Sequence, residues 1–547
     1  MQSFRAAAVA VGTAVLTLAA TAPVAASPHR SVTASAPTAA TIASPSVTRI
    51  AGADRYAASA AASRAAFPTG TTPAVVYLVS GTSPWESFSA TPAAVHQGGG
   101  VLLTRADGIP SSIAAELKRL APRSIVVVGP SSTLSSTVLS QAKAYAPDVR
   151  RIAGTSRYRT AEALVRHAFP AGGTSRAWIA TGRVWPDGLV AGAAAAAQRA
   201  PLLTVDGSAT TLPGATVTLI EDLGITSITI AGGPAGVSRG IETQLQGILG
   251  AANVARASGA DRYAAAARVN HLAFPDLAPG TAYVASGRDV VDGLAGAFLA
   301  GKKRRPLYLT VPYCVPAAVR PALAGPTTTR VTLLGGEGSV RSLVGTLEGC
   351  RSIVTASSRW VLVNKRNPLR PTSYVPAGLV VPNVAHHNNA RLRSDAAAAL
   401  TRMFSAARAE GAGRMAIASG YRSYSTQSSV YWNRVATHGR AYADQWIARP
   451  GHSEHQTGLG VDIAPVGTSS CSVHNCIGST PQGAWLKRNA WRFGFVLRYE
   501  SGYTPVTGYN SEPWHFRYVG TPLSTAYRKG GWHSYEQFLG EPAAPTY

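Results

Sequence analysis

The sequence predicts a multidomain protein in which three tandem α/β repeats are followed by a C-terminal domain of a different kind. An eight-residue segment that begins with Arg, has Gly at its fourth position and ends with Arg-Tyr occurs three times, and its second arginines are spaced by 102 and 105 residues. Uniformly apolar, strand-like runs alternate with helix-like runs inside each repeat. After Cys350 this period is lost, and Trp and His become frequent. A chain of 547 residues with 46% hydrophobic residues is long enough for several domains with buried cores, which excludes global disorder.

The N-terminal residues predict a secretory signal peptide over residues 1–26. A short basic start over residues 1–5 precedes an apolar, uncharged stretch over residues 6–20, and small residues at 24–26 form the pattern that signal peptidase recognises. The stretch is shorter than the roughly 20 apolar residues of a membrane span, although a retained N-terminal anchor is the alternative. Residues 27–46 are mostly Ser, Thr, Ala and Pro and predict a flexible linker. We therefore expect a secreted protein without a membrane span after signal cleavage.

The three copies predict three α/β domains over residues 47–150, 151–253 and 254–350. A helix is expected after each Arg-Tyr pair, followed by an apolar strand, an Ala-rich helix and further strands and helices. Runs such as residues 125–128 are apolar throughout, which is typical of strands buried on both faces of a parallel, Rossmann-like sheet. A Gly closes the first apolar strand of each copy, and five residues later comes an acid: Glu86, Asp187 and Asp292.

The RIAGADRY start, the Ser-Gly turn with its acid and the closing Gly-Gly segment resemble the cell-wall-binding type 2 repeat. The resemblance implies three copies packed around a pseudo-threefold axis and non-covalent attachment to an anionic secondary cell-wall polymer. The first copy departs from the family pattern, because Glu86 replaces Asp and Gly129-Pro130 replaces Gly-Gly. A purely structural role, in which the repeated Arg and Asp form ion pairs between repeats, is the alternative for each of these residues.

The charge of the chain favours polyanionic partners. Lys and Arg number 51 against 26 Asp and Glu, so the formal net charge is +25. The residues from Arg359 onward carry 20 basic and 9 acidic side chains, so both parts of the chain are basic. Nucleic acid is the usual partner of a basic intracellular protein. For a secreted protein we expect no nucleic acid and, instead, wall polymers that carry phosphate and carboxylate groups.

Four cysteines in a secreted chain predict two disulfides. Pairing Cys314 with Cys350 and Cys471 with Cys476 keeps each bridge inside one predicted domain. A zinc site made of Cys471, His474 and Cys476 is the disfavoured alternative, because three ligands so close together rarely complete a tetrahedron.

Two candidate metal ligands lie in residues 451–463 of the C-terminal domain. His455 offers an imidazole nitrogen and Asp462 a carboxylate oxygen, seven residues apart. On one continuous strand an odd separation places two side chains on opposite faces. Gly458 and Gly460 permit the bend or bulge that brings both side chains to one point.

Two further segments supply a third candidate ligand and two catalytic candidates. Residues 511–518, read as a strand, place His515 on the same face as Arg517, with Glu512 at the strand entrance. Arg422 lies on a Gly-containing turn after an apolar run. Two histidines and one carboxylate leave an open position on zinc, as hydrolysis requires. A nearby carboxylate then serves as general base, and a cation stabilises the oxyanion.

Together and in this order, the segments resemble the VanY-type D-alanyl-D-alanine carboxypeptidases, which are zinc peptidases. The resemblance covers about residues 360–522 and rests on SEHQTGLGVD, on EPWHFRYVG, on Tyr-Arg-Ser followed by Gln, and on Gly-Phe followed by Arg-Tyr. It implies an α+β domain over residues 358–540 with a small antiparallel sheet, acting on the peptidoglycan stem peptide. It also implies residue roles: one Zn²⁺ bound by His455, Asp462 and His515, a catalytic base at Glu512, transition-state assistance from Arg422, and substrate contacts from Ser453 and Gln427.

Other functions compete with this interpretation. A serine-type penicillin-binding carboxypeptidase is rejected, because the Ser140-x-x-Lys143 match lies in a predicted repeat helix and no Lys-Thr-Gly triad occurs. Cleavage of another stem-peptide bond by the same site, as in an L,D-carboxypeptidase, a dipeptidase or an endopeptidase, stays open. So does an inactive wall-binding protein, although the complete ligand set argues against it. Glu454 is the second candidate for the base, and we expect the repeats to be an anchor that takes no part in catalysis.

Overall fold

The computed structural model describes residues 44–387, 389–466, 471 and 475–547. The predicted signal peptide and nearly all of the predicted linker lie outside the described residues. Within the described part of the chain, no helix has both the length and the apolar composition that crossing a membrane requires.

Three α/β units follow the predicted alternation of helices and strands. Their strands are β1 (Ser46–Ile50), β2 (Val75–Ser80), β3 (Gly100–Thr104), β4 (Ser124–Val128), β5 (Asp148–Ile152), β6 (Arg176–Thr181), β7 (Leu202–Val205), β8 (Ser227–Ala231), β9 (Val254–Ala257), β10 (Gly280–Ser286), β11 (Leu307–Thr310) and β12 (Thr328–Leu334). Their helices are α1 (Arg55–Ala66), α2 (Trp85–His96), α3 (Ser111–Leu120), α4 (Ser136–Ala142), α5 (Arg157–Ala168), α6 (Trp185–Gln198), α7 (Gly214–Asp222), α8 (Arg239–Leu249), α9 (Arg262–Ala273), α10 (Val291–Lys302) and α11 (Arg320–Ala324).

Each unit is built on a four-stranded parallel sheet, which confirms the Rossmann-like class. The strand orders are β3-β2-β4-β5, β7-β6-β8-β9 and β11-β10-β12-β1. The outer strand of each sheet comes from the start of the next sequence repeat. The third sheet takes β1 from the start of the first repeat, where the Thr48 hydroxyl lies 2.9 Å from the Thr332 hydroxyl. The three units are thereby linked in a closed cycle.

The recurring arginines hold backbone carbonyls. Arg49 donates from Nη1 to the carbonyl oxygens of Gly335 and Val340 at 2.6 and 2.7 Å, and Arg151 and Arg256 reach the matching glycine carbonyls. The second arginine of each repeated segment donates to the Gly that closes the first apolar strand. Two of the arginines add an ion pair with a glutamate of a neighbouring loop or helix. The repeated arginines therefore have a structural role, as the alternative interpretation expects, although their partners among the described residues are backbone carbonyls and two glutamates of a neighbouring repeat instead of the recurring Asp.

Helices α2, α6 and α10 pack against one another and are almost entirely buried. Small residues allow this close approach. A Cβ added at Gly192 of α6 would lie 2.9 Å from the backbone oxygen of Phe88 in α2. A Cβ added at Gly301 of α10 would lie 2.5 Å from the Cβ of Ala196 in α6. The packing of these three helices therefore depends on glycine at the contact points.

Gly192→Ala is expected to destabilise the protein. Alanine in a helix interior normally stabilises relative to glycine by about 0.5–1 kcal/mol, but here the added methyl group meets the backbone of α2, and overpacking costs about 1–3 kcal/mol. The midpoint of thermal unfolding, followed by circular dichroism, should fall. Gly247→Ala in α8, where the space around the position is open, is the matched control and should leave the midpoint unchanged or raise it. Equal responses of the two variants would contradict the helix contact.

The C-terminal domain contains short strands and mostly longer helices. Its strands are β13 (Leu379–Val380), β14 (Leu392–Arg393), β15 (Met415–Ser419), β16 (Gly460–Pro465), β17 (Phe495–Leu497) and β18 (His515–Tyr518). Its helices are α12 (Ser394–Ala409), α13 (Tyr424–His438), α14 (Arg440–Trp446), α15 (Pro481–Asn489), α16 (Thr504–Thr507), α17 (Thr521–Lys529) and α18 (Tyr535–Leu539). Short 3-10 helices, at Ala251–Asn253 and Ser342–Thr346 in the repeats and at Glu454–Thr457, Asn475–Ser479 and Ala490–Phe493 here, complete the described elements.

The domain is α+β with a small antiparallel sheet, as the resemblance implies. The sheet has the order β15-β16-β18-β17, and all of its neighbouring strands are antiparallel. Leu400 and Met403 of α12 are buried in one cluster with Ile417, Val461 and Phe516 of the sheet. One face of the sheet therefore packs into the apolar core of the domain.

Both predicted disulfides form, Cys314–Cys350 in the third repeat and Cys471–Cys476 in the C-terminal domain. Because the sulfur atoms of Cys471 and Cys476 are bonded to each other, the alternative zinc site on these two residues is excluded.

The third repeat and the C-terminal domain share an apolar cluster. Tyr313 and Leu343 of the repeat are buried together with Trp360, Tyr535 and Phe538 of the C-terminal domain. The ring centroid of Tyr313 lies 6.2 Å from that of Trp360 and 6.3 Å from that of Phe538. The anchor that the sequence predicts is thus packed directly against the domain that carries the candidate site.

Candidate metal centre

Three side chains of metal-binding type converge at the carboxyl-terminal domain's sheet. One ligand atom from each of His455, Asp462 and His515 can be chosen so that all three atoms lie within 4.8 Å of one another. Asp462 Oδ2 lies 3.2 Å from His455 Nε2, and Asp462 Oδ1 lies 3.0 Å from His515 Nδ1. All three residues are buried. The sequence prediction that these residues meet at one point agrees with this geometry.

The local fold explains how His455 and Asp462 meet despite their odd separation. His455 lies in the 3-10 helix Glu454–Thr457, which ends at Gly458 with a φ of +66°. Asp462 is the third residue of β16 and is the register partner of His515, the first residue of β18. A Cβ on Gly458 would lie 2.9 Å from Leu379, and a positive φ favours glycine. A turn followed by a strand, rather than one continuous strand, therefore places both side chains on the same site.

The hydrogen bonds of the two imidazoles fix which nitrogen is available to a metal. His455 Nδ1 lies 2.7 Å from the carbonyl oxygen of Gly420 and donates to it, so Nε2 carries the free lone pair. His515 is oriented the other way, because its Nε2 lies 3.4 Å from Glu454 Oε2 while its Nδ1 faces Asp462. Two imidazole nitrogens and one carboxylate oxygen are the donor set that catalytic zinc sites with an open position commonly use.

Glu512 lies beside the three ligands at the entrance of β18. Its Oε2 is 4.0 Å from His515 Nδ1, and its amide donates to the Tyr499 carbonyl at 2.9 Å. Burial raises the pKa of Glu512 to about 8. For His515, burial alone would lower the pKa, but its hydrogen bonds to Asp462 and Glu454 raise it to about 9. A carboxyl with raised proton affinity next to the ligand set has the properties of a general base.

Arg422 is held by its neighbours with its guanidinium in the cleft. Its Nη1 donates to Gln427 Oε1 at 3.0 Å and its Nη2 to Ser419 Oγ at 3.1 Å. Gln427 in turn donates from Nε2 to the carbonyl oxygen of Ala448 at 2.6 Å. Both ends of the Gln427 amide are therefore bonded within the protein. Gln427 is therefore better placed to orient Arg422 than to contact substrate directly.

Two family models match this chain. The model described as VanY, D-alanyl-D-alanine carboxypeptidase, matches residues 389–521. The model described as cell wall binding domain 2 matches residues 49–139, 151–242 and 256–344.

Curated proteins similar to this chain include carboxypeptidases of other bacteria. VanXYC of Enterococcus gallinarum, a bifunctional D-Ala-D-Ala dipeptidase and D-Ala-D-Ala carboxypeptidase, is 30% identical over 186 residues, which are 33% of this chain and 94% of VanXYC. This chain belongs to the VanY family. YodJ of Bacillus subtilis (strain 168) is 39% identical over 179 residues, which are 32% of this chain and 64% of YodJ. The chain thus spans between half and two thirds of the first curated relatives that it matches.

Among solved structures, Cwp6 from Clostridium difficile is similar to this chain with a TM-score of 0.50 and 26% sequence identity. The similarity covers 56% of this chain and 48% of Cwp6. It supports the architecture of tandem α/β units that precede the VanY domain.

All seven site residues expected from the sequence line one cleft of about 320 Å³ in the VanY domain. The cleft also has aromatic walls for which the sequence suggested no role, formed by Trp446, Tyr499, Tyr509 and Trp514. Tyr499 follows Arg498, and Trp514 precedes His515, in segments that resemble the family, and this was the available signal. Trp446 and Tyr509 lie at a helix end and in a loop, where a sequence pattern does not show which face a side chain takes.

A buried ion-pair network under the ligands was also not predicted. The Glu454 carboxylate accepts from Arg498 Nε at 2.9 Å and from Arg517 Nη1 at 2.8 Å. Arg498 donates to Glu536 through both terminal nitrogens, at 3.0 and 2.7 Å. Burial alone would raise the pKa of Glu454, but the two guanidinium groups hold it well below its usual range. Glu454, the second candidate for the base, is therefore a permanent anion that supports His515.

Glu454→Gln should destabilise the VanY domain strongly. Removing one partner of a buried ion pair leaves an uncompensated charge, here on Arg517, because Arg498 keeps its pair with Glu536, and such a loss costs about 3–5 kcal/mol. Thermal unfolding followed by circular dichroism should show a lower midpoint. Glu512→Gln is the matched control, because no arginine in the described part of the chain lies within ion-pair distance of Glu512, and its midpoint should stay near that of the wild type. Equal midpoints for the two variants would contradict the assignment of Glu454 as the buried countercharge.

Proposed function

We propose that the protein is a zinc-dependent D-alanyl-D-alanine carboxypeptidase that trims peptidoglycan stem peptides while its repeats hold it on the cell wall. The observation that carries the proposal is the meeting of His455, Asp462 and His515 with Glu512 and Arg422 in one cleft. We further propose that the protein is secreted and associated with the wall, in keeping with its cell-wall-binding repeats.

Zinc fits the donor set, because two imidazole nitrogens and one carboxylate are its usual catalytic ligands. When bound, one zinc ion would supply Lewis-acid polarisation of the scissile carbonyl and activation of the attacking water. His455 and Asp462 are held for this role by the turn and strand described above. Burial of the ligand set excludes bulk water and strengthens each electrostatic interaction.

Glu512 would take the proton of the attacking water and pass it to the departing amine of the terminal residue. Its burial makes it a better proton acceptor than an exposed carboxylate, because the charged form is poorly solvated. Its place beside His515 puts the carboxylate at the ligand set, where the nucleophile must be deprotonated.

Arg422 would donate to the oxygen of the scissile carbonyl as negative charge develops on it. The guanidinium is fixed by Gln427 and Ser419, so little reorganisation is needed during reaction. Ser453 lines the same cleft and is proposed to contact the substrate, whereas Gln427 contributes by orienting Arg422.

Terminal D-Ala is the proposed leaving group because the chain belongs to the VanY family, and because VanXYC acts on D-Ala-D-Ala by its name.

The experiment that tests this proposal is to incubate the full chain with defined muropeptides and to measure the masses of the products. Loss of one D-Ala from the pentapeptide, abolished by a chelator and restored by Zn²⁺, is expected. Release of the dipeptide, cleavage of a tetrapeptide or an internal cut would each replace the D,D-carboxypeptidase assignment with the corresponding alternative. No product at all would favour an inactive wall-binding protein.

In the same assay, His455→Ala, Asp462→Ala and His515→Ala should each lower bound zinc and abolish hydrolysis. Each variant removes one of three ligands, and two remaining ligands hold zinc poorly. Metal content measured by atomic emission and turnover of the pentapeptide should fall together. A His455→Ala protein that keeps one full zinc and normal turnover would show that the site lies elsewhere.

Glu512→Gln should separate metal binding from chemistry. The amide keeps the shape of the side chain but cannot accept the proton, so zinc content should stay at the wild-type level while kcat falls by about 10²-fold or more. Zinc stoichiometry and pentapeptide turnover measure the two effects independently. Retention of most of the rate would move the base away from Glu512.

Wall attachment should depend on charge. The basic excess of the chain favours an anionic secondary polymer, and screening weakens such attachment. The full chain should sediment with purified cell walls, be released as salt rises, and lose binding after the anionic polymers are extracted. Glu512→Gln is the control, since it should bind walls like the wild type. Binding that survives polymer extraction would identify peptidoglycan itself as the ligand.

A further inference from the structure

The C-terminal end of α18 in the VanY domain is held by a buried arginine of the third repeat. Arg341 donates from Nε to the carbonyl oxygen of Phe538 at 3.2 Å and from Nη2 to that of Gln537 at 3.1 Å. Its guanidinium carbon lies 4.4 Å from the ring centroid of Trp532, and only 3% of the residue is exposed. Arg341 therefore caps the last carbonyls of α18, where a cation is favoured by the helix dipole.

A second arginine of the third repeat holds the residues that follow. Arg288 Nη1 donates to the carbonyl oxygens of Leu539 and Gly540 at 3.0 and 3.3 Å, and its Nη2 lies 3.3 Å from Glu541 Oε1. The last turn of α18 and the residues after it are thus bonded at five points by two side chains of the repeat.

These contacts are special to the third repeat. Counting from the loop glycines, Arg341 occupies the place that Ser135 and Ser238 take in the first and second repeats. Arg288 corresponds to Arg183 of the second repeat, which is exposed and pairs with Asp206 of its own repeat. The chain therefore carries an internal comparison, in which the same position faces either the VanY domain or solvent.

From α18 a continuous buried chain of polar contacts leads to the ligand set. Glu536 of α18 binds the Arg498 guanidinium at 2.7 and 3.0 Å and accepts from Asn364 Nδ2 at 3.1 Å. Arg498 binds Glu454, whose other oxygen lies 3.4 Å from His515 Nε2. The side chains of Glu536, Arg498 and Glu454 are wholly buried. Such a network has few alternative arrangements, because each broken contact removes a partner from a charge that water does not reach.

We infer that the third repeat is a positioning partner of the metal centre: Arg341 and Arg288 fix α18, and α18 fixes His515 through Glu536, Arg498 and Glu454. This inference rests on the proposed function for the role of His515. It revises the expectation that the repeats act only as an anchor. The surface that contacts α18 belongs to the third repeat, and two guanidinium groups that donate to backbone carbonyls distinguish it from the other repeats.

The test compares full-length Arg341→Met and Arg288→Met with Arg183→Met as the matched control. Methionine keeps an apolar stem but removes the guanidinium. Two quantities are measured well below the unfolding temperature: the zinc dissociation constant by chelator competition, and kcat and KM on a soluble pentapeptide. Changes to residues that support a metal ligand cost about 10- to 100-fold in affinity or activity. We expect zinc binding weakened about tenfold and kcat lowered about tenfold with KM little changed for the first two variants, and wild-type values for Arg183→Met.

Arg341→Lys keeps the positive charge and should restore part of both quantities, and it also serves if Arg341→Met does not fold. A double-mutant cycle of Arg288→Met with Glu536→Gln should show non-additive losses in zinc affinity, which a purely stabilising contact would not produce. Wild-type zinc affinity and kcat in both Arg341→Met and Arg288→Met would overturn the inference. If the wild type binds zinc but cleaves no muropeptide, the proposed activity fails, while the zinc measurements still decide whether the repeat positions the ligands.

Discussion

The buried carboxylate of Glu454 is the constraint on which the VanY domain depends. Its side chain is fully removed from water, and a lone charge there would cost several kcal/mol if Arg498 and Arg517 did not neutralise it. Glu454 directly precedes the candidate ligand His455 and also contacts His515. The turn that carries His455 therefore cannot move without uncovering a charge, and the ring of His515, a second candidate ligand, is held by the same carboxylate. The geometry of the site is therefore fixed by the buried charges of Glu454, Arg498 and Arg517 beside it.

The repeats meet a different constraint, which is the need to bond buried loop carbonyls at the ends of parallel strands. Arg49, Arg151 and Arg256 do this in each unit, and the exchange of one strand between successive units closes the cycle. These requirements are the same three times, so the sequence repeats. The third unit departs from the pattern where it meets the VanY domain, and there Arg341 replaces a serine.

Fold class, disulfides and the meeting of the ligand residues were predictable, because each leaves a signal in nearby residues: apolar runs, an even cysteine count, and short segments rich in His and acid. The structure adds what has no local signal. Glu454 and Arg498 are 44 positions apart in the sequence, and Arg498 and Glu536 are 38 positions apart. Arg341 binds the carbonyl of a residue 197 positions away. The 3-10 turn at His455 was anticipated only as a bend near Gly458. The second hydrogen bond of the Gln427 amide goes to the carbonyl oxygen of Ala448, a residue that lies in no recognisable motif.

The contact between the third repeat and the VanY domain also restricts the orientation of the cleft. A domain on a flexible tether samples many orientations, so its cleft meets substrate from any side. Here Tyr313 and Leu343 are buried against the VanY domain, and Arg341 and Arg288 bind its last helix. The direction of the cleft is therefore fixed relative to the repeats. If the repeats bind a wall polymer, as proposed, that fixed direction limits which parts of the wall can reach the cleft.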